Sequence, residues 1–562
     1  MKLNGAQIIV ECLHREKVEC MFGYPGGVVI PIFHELHNAP FKFILARHEQ
    51  GAVHAADGYA RASGKVGVAI ATSGPGATNC VTGIATAHLD SVPLVIFTGQ
   101  VKREQIGNDA FQEVDITGIT RPITKHNYLV QDIKDLARII KEAFYISSTG
   151  RPGPVLIDVP VDISTGEHSF SYPEKVQMRG YRPVYDGHPV QIKKACRLIE
   201  ESKRPVIYAG GGVVISNAWM ELREFVKKTR IPVTTTLLGM GVYPETDPLS
   251  LEMLGMHGTY YANNAVNESD VLIAIGARFD DRVTGKIDEF IPNAQVIHID
   301  IDPASVSKTV RVDVPIVGDC NRVLQEMNKC VKAPAIDGWL EELERMKRDH
   351  PLTYEKTKGK VKPQFVIEEL YRLTKGEAVI CTEVGQNQMW AAQFYKYTEP
   401  RTFISSGGLG TMGYGFPAAI GAQLARPDRR VIDIAGDGSI QMNIQEMIVA
   451  VQHRLPIIIA ILNNGFLGMV RQWQQLFWEE RYSHTCIDFA PDFVKLAEAY
   501  GAAGRRVEKE EEVAPAIEWA LGITDRPIMI DFRVSREENV YPMVPAGRSF
   551  KETLMKEREL LA

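Results

Sequence analysis

Short apolar runs alternate with amphipathic segments along most of the chain. Runs of strand length, such as FKFILA, VGVAIATSGPG and PLVIFTG, are each followed by residues with helical periodicity. This alternation is typical of parallel βαβ units. The N-terminal MKLNGAQIIVECLHREKVECMFG carries charges among its apolar positions, which predicts an amphipathic helix running into a buried strand and not a secretion signal.

Two polar stretches that contain proline, residues 163–189 and 354–363, interrupt the alternation. A chain of 562 residues also exceeds the usual size of one hydrophobic core. We therefore predict an α/β protein of three doubly wound parallel-sheet domains. The predicted extents of these domains and of a C-terminal tail are 1–165, 190–335, 360–540 and 541–562.

Composition excludes several classes of partner. Acidic residues outnumber basic ones by 69 to 63, and no basic stripe appears, which argues against a nucleic-acid surface. The longest apolar runs, such as PIIIAIL, are too short to span a membrane. The eight cysteines are scattered without C-x-x-C spacing, so we expect reduced, structural thiols and a cytoplasmic protein that binds a small ligand.

The segment GDGSIQMNIQEMIVAVQHRLPIIIAILNN predicts a strand turn, a helix and a second strand, which form one crossover. Its geometry brings Asp437 near Asn464, and their oxygens suit a hard cation such as magnesium. Gly436 and Gly438 would admit a phosphate, and a helix starting after Ser439 would point its free N–H groups toward it. Taken singly, each piece could be an ordinary turn.

A GDG turn followed one crossover later by NN resembles the cofactor motif of thiamine-diphosphate enzymes. The resemblance implies a magnesium ion held by Asp437, Asn464 and the main-chain carbonyl of Phe466. It also implies that Glu49, in RHEQ, is the carboxyl group that activates the aminopyrimidine ring. A helix-end glutamate that merely complements the helix dipole is the alternative.

Two further glycine-rich segments resemble the same family. GGLGTMGYG matches the segment that binds the aminopyrimidine, so Gly410 and Met412 would offer backbone hydrogen bonds while the Met412 side chain holds the cofactor bent. Met412 could otherwise simply fill core space. EVGQNQ resembles the second diphosphate loop, with asparagine where histidine is usual, and assigns to it Val384, Gly385, Gln386 and Asn387.

Within that family, nearly the whole chain resembles the acetolactate synthase catalytic subunits. The resemblance rests on ordered motifs that include FGYPGG, TSGPGATN, DAFQE, MLGMHGTYYAN, GARFDDRVTG and LGMVRQWQ. GARFDDRVTG accompanies the members that bind FAD, so FAD is expected. The residues assigned to the flavin on this basis are Gly210, Gly211, Gly212, Met256, His257, Gly258, Gly276, Arg278 and Asp300.

The same resemblance assigns three side chains to the reaction itself. Arg278 would also receive the second keto acid, Trp473 would favour 2-ketobutyrate as acceptor, and Gln112 would contact the reacting centre. On spacing alone, Arg278 could equally form an ordinary salt bridge, and a lone tryptophan is usually in the core.

The implied reaction decarboxylates pyruvate and transfers the hydroxyethyl unit to a second 2-keto acid. The products would be 2-acetolactate or 2-aceto-2-hydroxybutyrate, in branched-chain amino acid synthesis. The resemblance implies a homodimer or tetramer with the active site between subunits, and a small regulatory subunit is a possible partner. A flavin-reducing pyruvate oxidase and a non-catalytic nucleotide-binding protein are the competing interpretations.

Overall fold

The computed structural model of the chain describes residues 2–556. The first part contains a six-stranded parallel sheet in the order β3-β2-β4-β5-β7-β6, and β1 pairs with β8 in a small antiparallel ribbon. The strands and helices are β1 (Lys2–Asn4), α1 (Gly5–Arg15), β2 (Cys20–Gly23), α2 (Ile30–Leu36), β3 (Lys42–Leu45), α3 (Glu49–Ser63), β4 (Gly67–Ala71), α4 (Pro75–Asn79), α5 (Val81–Asp90), β5 (Leu94–Gln100), α6 (Ile116–Thr120), β6 (His126–Leu129), α7 (Ile133–Ser148), β7 (Pro154–Pro160), α8 (Val161–Thr165) and β8 (Glu167–Ser169).

The central part contains a second parallel sheet, in the order β11-β10-β9-β12-β13-β14. Its elements are α9 (Pro189–Glu201), β9 (Pro205–Ala209), α10 (Gly211–Ile215), α11 (Trp219–Thr229), β10 (Val233–Thr235), β11 (Ser250–Met253), α12 (Tyr260–Asn267), β12 (Val271–Ile275), α13 (Asp281–Thr284), β13 (Gln295–Asp300), β14 (Val314–Val317), α14 (Cys320–Cys330) and α15 (Asp337–Asp349).

The third part contains another parallel sheet of six strands, in the order β16-β15-β17-β18-β20-β19. Its elements are α16 (Pro363–Thr374), β15 (Val379–Thr382), α17 (Gln386–Phe394), β16 (Phe403–Ile404), α18 (Gly415–Ala425), β17 (Val431–Gly436), α19 (Met447–Gln452), β18 (Ile458–Asn463), α20 (Gly468–Phe477), α21 (Phe493–Tyr500), β19 (Ala503–Val507), α22 (Val513–Leu521) and β20 (Ile528–Arg533).

The predicted fold class is confirmed, because each part is built on a parallel sheet with helices. The sheets lie inside the three predicted segments, while the points at which one domain gives way to the next stay a prediction. β8 lies in the stretch 163–189, where the alternation of apolar runs and amphipathic segments is interrupted. None of the helices between residues 2 and 556 is long and apolar enough to cross a bilayer.

Helices α3 and α18 join the first and third domains. A Cβ atom added at Gly421 would lie 1.8 Å from Ala55 O, and one added at Gly58 would lie 2.1 Å from Ala418 O. The two backbones can therefore approach this closely only with glycine at both positions. Buried residues of both domains form one continuous apolar core around this contact, whereas the central sheet has a core of its own.

Two details of the structure go beyond the sequence analysis. Cys196 of α9 and Cys330 of α14 form a disulfide, so the expected reduced state is wrong for this pair, which two adjacent helices bring together in space. The expected tail packs on the central domain, where Val544 N donates to Met256 O at 2.7 Å. Residues 557–562 of that predicted tail lie outside the described residues.

Candidate active site

The predicted metal anchor lies at the carboxyl ends of two neighbouring strands. β17 and β18 are paired with Gly436 opposite Leu462, so the turns that follow them are adjacent. Gly465 N donates to Asp437 Oδ2 at 3.0 Å, and Phe466 N donates to Asn464 Oδ1 at 3.0 Å. The crossover thus brings together the three groups that the sequence assigned to the metal.

The electrostatics of this turn fit a cation. Asp437 is only 1 % exposed, and burial raises the pKa of its carboxyl group to about 7. Asp437, the amide of Asn464 and the carbonyl of Phe466 would supply one carboxylate and two neutral oxygens, a set that suits magnesium completed by phosphate oxygens and water. No group of three His, Cys, Asp or Glu residues within 2–556 forms a metal cluster, so this mixed set is the candidate.

The expected helix directly after Ser439 is absent. Ile440–Met442 and Ile444–Glu446 form short 3-10 turns instead, and α19 begins only at Met447. Between the two turns, Asn443 leaves helical geometry and donates its side-chain amide to Gly413 O at 2.7 Å. The turn still follows a parallel strand, but the free N–H groups there belong to a 3-10 turn.

The second predicted diphosphate segment spans the start of α17, because Gln386 and Asn387 are the first two residues of that helix. Gly385 has a φ of 150°, a conformation that favours glycine, and Asn464 Nδ2 donates to Gln386 Oε1 at 3.2 Å. Asn387 Nδ2 donates to Glu383 O at 3.0 Å and to Ile434 O at 2.8 Å. Because both of its amide hydrogens are in use, any phosphate contact at Asn387 falls to its backbone N–H.

The segment that resembles the aminopyrimidine site is a loop, residues 405–414, that runs into α18. Gly410 has a φ of 71°, and the nearest atom to an added Cβ would be Val384 Cγ1 at 4.0 Å, so the space beside it is open. Thr411 Oγ1 lies 2.7 Å from Thr86 Oγ1, and Gly413 N donates to Glu383 Oε2 at 2.6 Å. The loop is therefore anchored on both sides of an open face.

One cavity of about 760 Å³ joins this loop to the central domain. Many of the residues assigned to the flavin, the cofactor loops and the substrate line it together, namely Gly211, Gly212, Met256, His257, Gly276, Arg278, Asp300, Val384, Gly385, Gly410, Met412 and Trp473. Burial lowers the pKa of His257 to about 4, so this ring is neutral near pH 7.

Glycines of the central domain allow two turns to touch. A Cβ atom added at Gly210 would lie 2.4 Å from Gly276 O, and one at Gly212 would lie 2.6 Å from Gly276 Cα. Gly258 lies in a similarly tight turn, since a Cβ atom added there would lie 2.4 Å from Leu254 C. Neither Gly210 nor Gly258 lines the cavity, so close backbone packing accounts for these two glycines.

Two arginines of GARFDDRVTG reach the cavity. Arg278, which the sequence singled out, lies 3.7 Å from Asp280. Arg282, which it did not, places its guanidinium 5.9 Å from the centre of the Trp473 ring. Arg282 faces Trp473 because it lies in the short helix α13. The order of residues in the motif does not indicate this orientation.

Glu49 and Gln112 lie together on the N-terminal domain and do not line this cavity. Glu49 is 9 % exposed and accepts a hydrogen bond from Asn79 Nδ2 at 2.9 Å, a partner that TSGPGATN contained but we did not single out. A Cβ atom at Gly76 would lie 3.1 Å from Glu49, and one at Gly74 would lie 2.9 Å from Gln112 Cα. Both residues therefore adjoin the start of α4.

Glu49 begins helix α3, which contacts the loop of its own chain farther along, where the ring centres of His54 and Tyr414 lie 5.2 Å apart. Arg61, near the other end of α3, donates to Ser405 O at 3.0 Å. Twelve residues separate Glu49 from Arg61, which corresponds to about 18 Å along the helix axis.

Comparison with known proteins agrees with this architecture. Residues 3–119 match the N-terminal TPP binding domain of thiamine pyrophosphate enzymes, residues 192–327 match their central domain, and residues 383–532 match their C-terminal TPP binding domain. The protein is a thiamine-diphosphate-dependent enzyme.

Similar proteins narrow the class. The chain is 47 % identical to the acetolactate synthase large subunit of Haemophilus influenzae, over 99 % of this chain and 98 % of that protein. It is 50 % identical to the acetolactate synthase large subunit of Corynebacterium glutamicum, over 98 % and 89 %, and 46 % identical to the acetolactate synthase isozyme 3 large subunit of Escherichia coli, over 99 % of each. The chain belongs to the acetolactate synthase large-subunit family.

Proposed function

We propose that the protein joins two 2-keto acids, decarboxylating pyruvate and forming 2-acetolactate or 2-aceto-2-hydroxybutyrate. The observation that carries this proposal is the single cavity that runs from the Gly410–Met412 loop to the Trp473–Arg282 pair. Bound thiamine diphosphate supplies the electron sink for decarboxylation. The cavity walls then decide which second substrate is accepted.

The acceptor keto acid carries a carboxylate and a short alkyl group. Arg278 stays our sequence-based candidate for holding that carboxylate, and the contact of Arg282 with Trp473 makes Arg282 a second one. The Trp473 ring would contact the extra methyl group of 2-ketobutyrate. One methylene in an apolar pocket discriminates by about 1–3 kcal/mol, so we expect a preference and not exclusion.

Two further cofactors fit the described residues. Asp437, Asn464 and the carbonyl of Phe466 would hold magnesium, which in turn would bind the diphosphate. FAD would occupy the part of the cavity lined by Gly211, Met256 and the other central-domain residues assigned to it. In the proposed reaction the flavin accepts no electrons, so we expect it to stay oxidised when pyruvate is added.

A homodimer, alone or paired into a tetramer, would complete the active site. Neither Glu49 nor Gln112 lines the cavity that Gly410 and Met412 line in the same chain. The Glu49 that meets the aminopyrimidine ring would therefore come from a second copy, whose Gln112 would face the reacting centre with it. Titrating inactive Glu49→Gln subunits against inactive Asp437→Ala subunits should then restore part of the activity.

The relatives are named large subunits, and we propose that a small regulatory subunit binds this chain as well. A cytoplasmic location also stays a proposal, supported by six free cysteines, of which five are buried.

The decisive experiment supplies pyruvate with thiamine diphosphate, magnesium and FAD, omits each in turn, and measures acetolactate, acetaldehyde and acetate. We expect acetolactate only with all three cofactors, and its loss in Glu49→Gln but not in the control Glu11→Gln, whose half-buried carboxylate pairs with Arg15. Acetate formed with reduction of the flavin would instead identify a pyruvate oxidase.

A further inference from the structure

A buried carboxylate of the N-terminal domain holds the loop 405–414 of the C-terminal domain. Asp90, the last residue of α5, is 7 % exposed. Its Oδ1 accepts a hydrogen bond from Gly408 N at 2.7 Å, and its Oδ2 accepts one from Gly407 N at 3.1 Å. Hydrogen bonds to a charged acceptor are stronger than those between neutral groups.

Asp90 belongs to an ion network that reaches both ends of the same loop. Arg61 donates to Asp90 Oδ2 at 2.8 Å, to Asp57 Oδ1 at 2.6 Å and to Ser405 O at 3.0 Å. Tyr414 donates its hydroxyl to Asp57 Oδ1 at 2.5 Å. Within this network, Asp90 is the member whose carboxylate accepts backbone N–H groups from the middle of the loop.

The middle of the loop requires such an anchor. Gly407, Gly408 and Gly410 have no side chains with which to pack, and all three are exposed. Glycine has the largest conformational freedom to lose, so an unanchored stretch would sample many conformations. Asp90 fixes Gly407 and Gly408, which one residue, Leu409, separates from the turn at Gly410.

The same contact reaches the central domain. A Cβ atom added at Gly408 would lie 2.7 Å from Asp90 Oδ1 and 3.4 Å from Arg278 Nη2. Asp90, Gly408 and Arg278 all line the cavity. The position of this backbone therefore also sets the space beside Arg278.

We propose that Asp90 is a positioning residue that holds the Gly407–Gly408 backbone so that Gly410 and Met412 are ready to bind the aminopyrimidine ring. Asp90 acts through the loop and does not touch the reacting atoms. The proposal rests on the role of Gly410 and Met412 in the proposed function.

The test compares Asp90→Asn with Asp57→Asn. Both changes remove one charge from the same network beside Arg61, but only the first alters an acceptor of the loop N–H groups. We expect thiamine diphosphate, titrated calorimetrically into the magnesium-saturated protein, to bind Asp90→Asn about tenfold more weakly, and Asp57→Asn less than threefold more weakly. The near-ultraviolet circular dichroism of the bound cofactor should change in Asp90→Asn alone.

Gly408→Ala provides a second route if Asp90→Asn does not fold. The added methyl group would displace the Asp90 carboxylate while leaving every charge of the network in place. It should weaken cofactor binding by a similar factor and change the same dichroism signal. Unchanged affinity and dichroism in the folded variants would overturn the proposal. Wild-type protein that binds the cofactor but forms no acetolactate would instead contradict the proposed function.

Discussion

The two ends of helix α3 are attached to the C-terminal domain by different chemistry. At the C-terminal end, the charge of Arg61 is paired with Asp57 and Asp90. At the N-terminal end, Glu446 accepts hydrogen bonds from the backbone of Arg47 and His48, at 2.9–3.1 Å. Among residues 2–556, no salt bridge compensates Glu446.

This difference matters because Glu49 lies at the end without the ion pair. Burial is the main reason that the pKa of Glu446 is raised from 4.5 to about 7, with a further contribution from Glu49 nearby. The end that carries our candidate catalytic acid is therefore sensitive to pH near neutrality. The Arg61 end has a compensating cation and holds the loop that would receive the cofactor.

Disrupting the close packing of α3 against α18 should have the largest effect on the free energy of unfolding. Gly421→Ala would place a methyl group 1.8 Å from Ala55 O, and the free energy of unfolding should fall by about 3 kcal/mol or more because neither backbone can give way. Gly338→Ala, which adds a methyl group in open space, should change it by less than ~1 kcal/mol. Urea unfolding followed by tryptophan fluorescence measures both, and equal effects would contradict the close contact.

Glu446→Gln should show the difference between the two ends of α3 as a change in how the unfolding free energy depends on pH. A raised carboxyl pKa in the folded state contributes stability below the unfolded pKa of about 4.5, and that contribution is lost as the pH rises through about 7. The glutamine variant lacks this loss. Relative to wild type it should therefore gain up to about 3 kcal/mol as the pH rises across that window.

The measurement is the difference in unfolding free energy between Glu446→Gln and wild type at about pH 5 and about pH 8. Asp57→Asn, at the charge-paired end, is the matched control. A Glu446→Gln difference that is the same at both pH values would show that Glu446 is not the pH-sensitive group.

Thr86→Val tests a neutral contact at the charged end. The change removes the hydrogen bonds of Thr86 Oγ1 with Thr411 Oγ1 and with Thr82 O while keeping the side-chain volume, and it should cost about 1 kcal/mol of unfolding free energy. The exposed Thr82→Val should cost less than about 0.5 kcal/mol in the same denaturation experiment. A cost as large as that of Gly421→Ala would mean that these hydrogen bonds contribute as much as the helix contact.

The smallest effect should come from a surface ion pair. Arg426 lies 3.1 Å from Asp428, whose side chain is 63 % exposed. Asp428→Asn should lower the unfolding free energy by less than about 0.5 kcal/mol, and added salt should reduce the difference further. A larger, salt-independent loss would show that burial is not what separates this pair from Arg61 and Asp57.

Sequence reasoning succeeded where periodicity or a single crossover decides the geometry. The alternation of apolar runs predicted three parallel sheets, and the spacing of Asp437 and Asn464 predicted their proximity because parallel strands end at one edge of a sheet. It failed on the helix after Ser439, because the side chain of Asn443 bonds to a loop 30 residues away. It also missed the disulfide between Cys196 and Cys330, since pairing depends on which helices pack together.

The sequence by itself determined the fold class, the family and the residue types offered for the cofactors, because these follow from local periodicity and from motifs within one supersecondary unit. Only the tertiary structure decided that Arg282 faces Trp473, that Asp90 holds the Gly407–Gly408 backbone, and that Glu49 lies outside the cavity lined by Gly410 and Met412. Each of these depends on contacts between residues far apart in the chain. Such contacts are set by how helices and domains pack, which the order of residues within one motif does not specify.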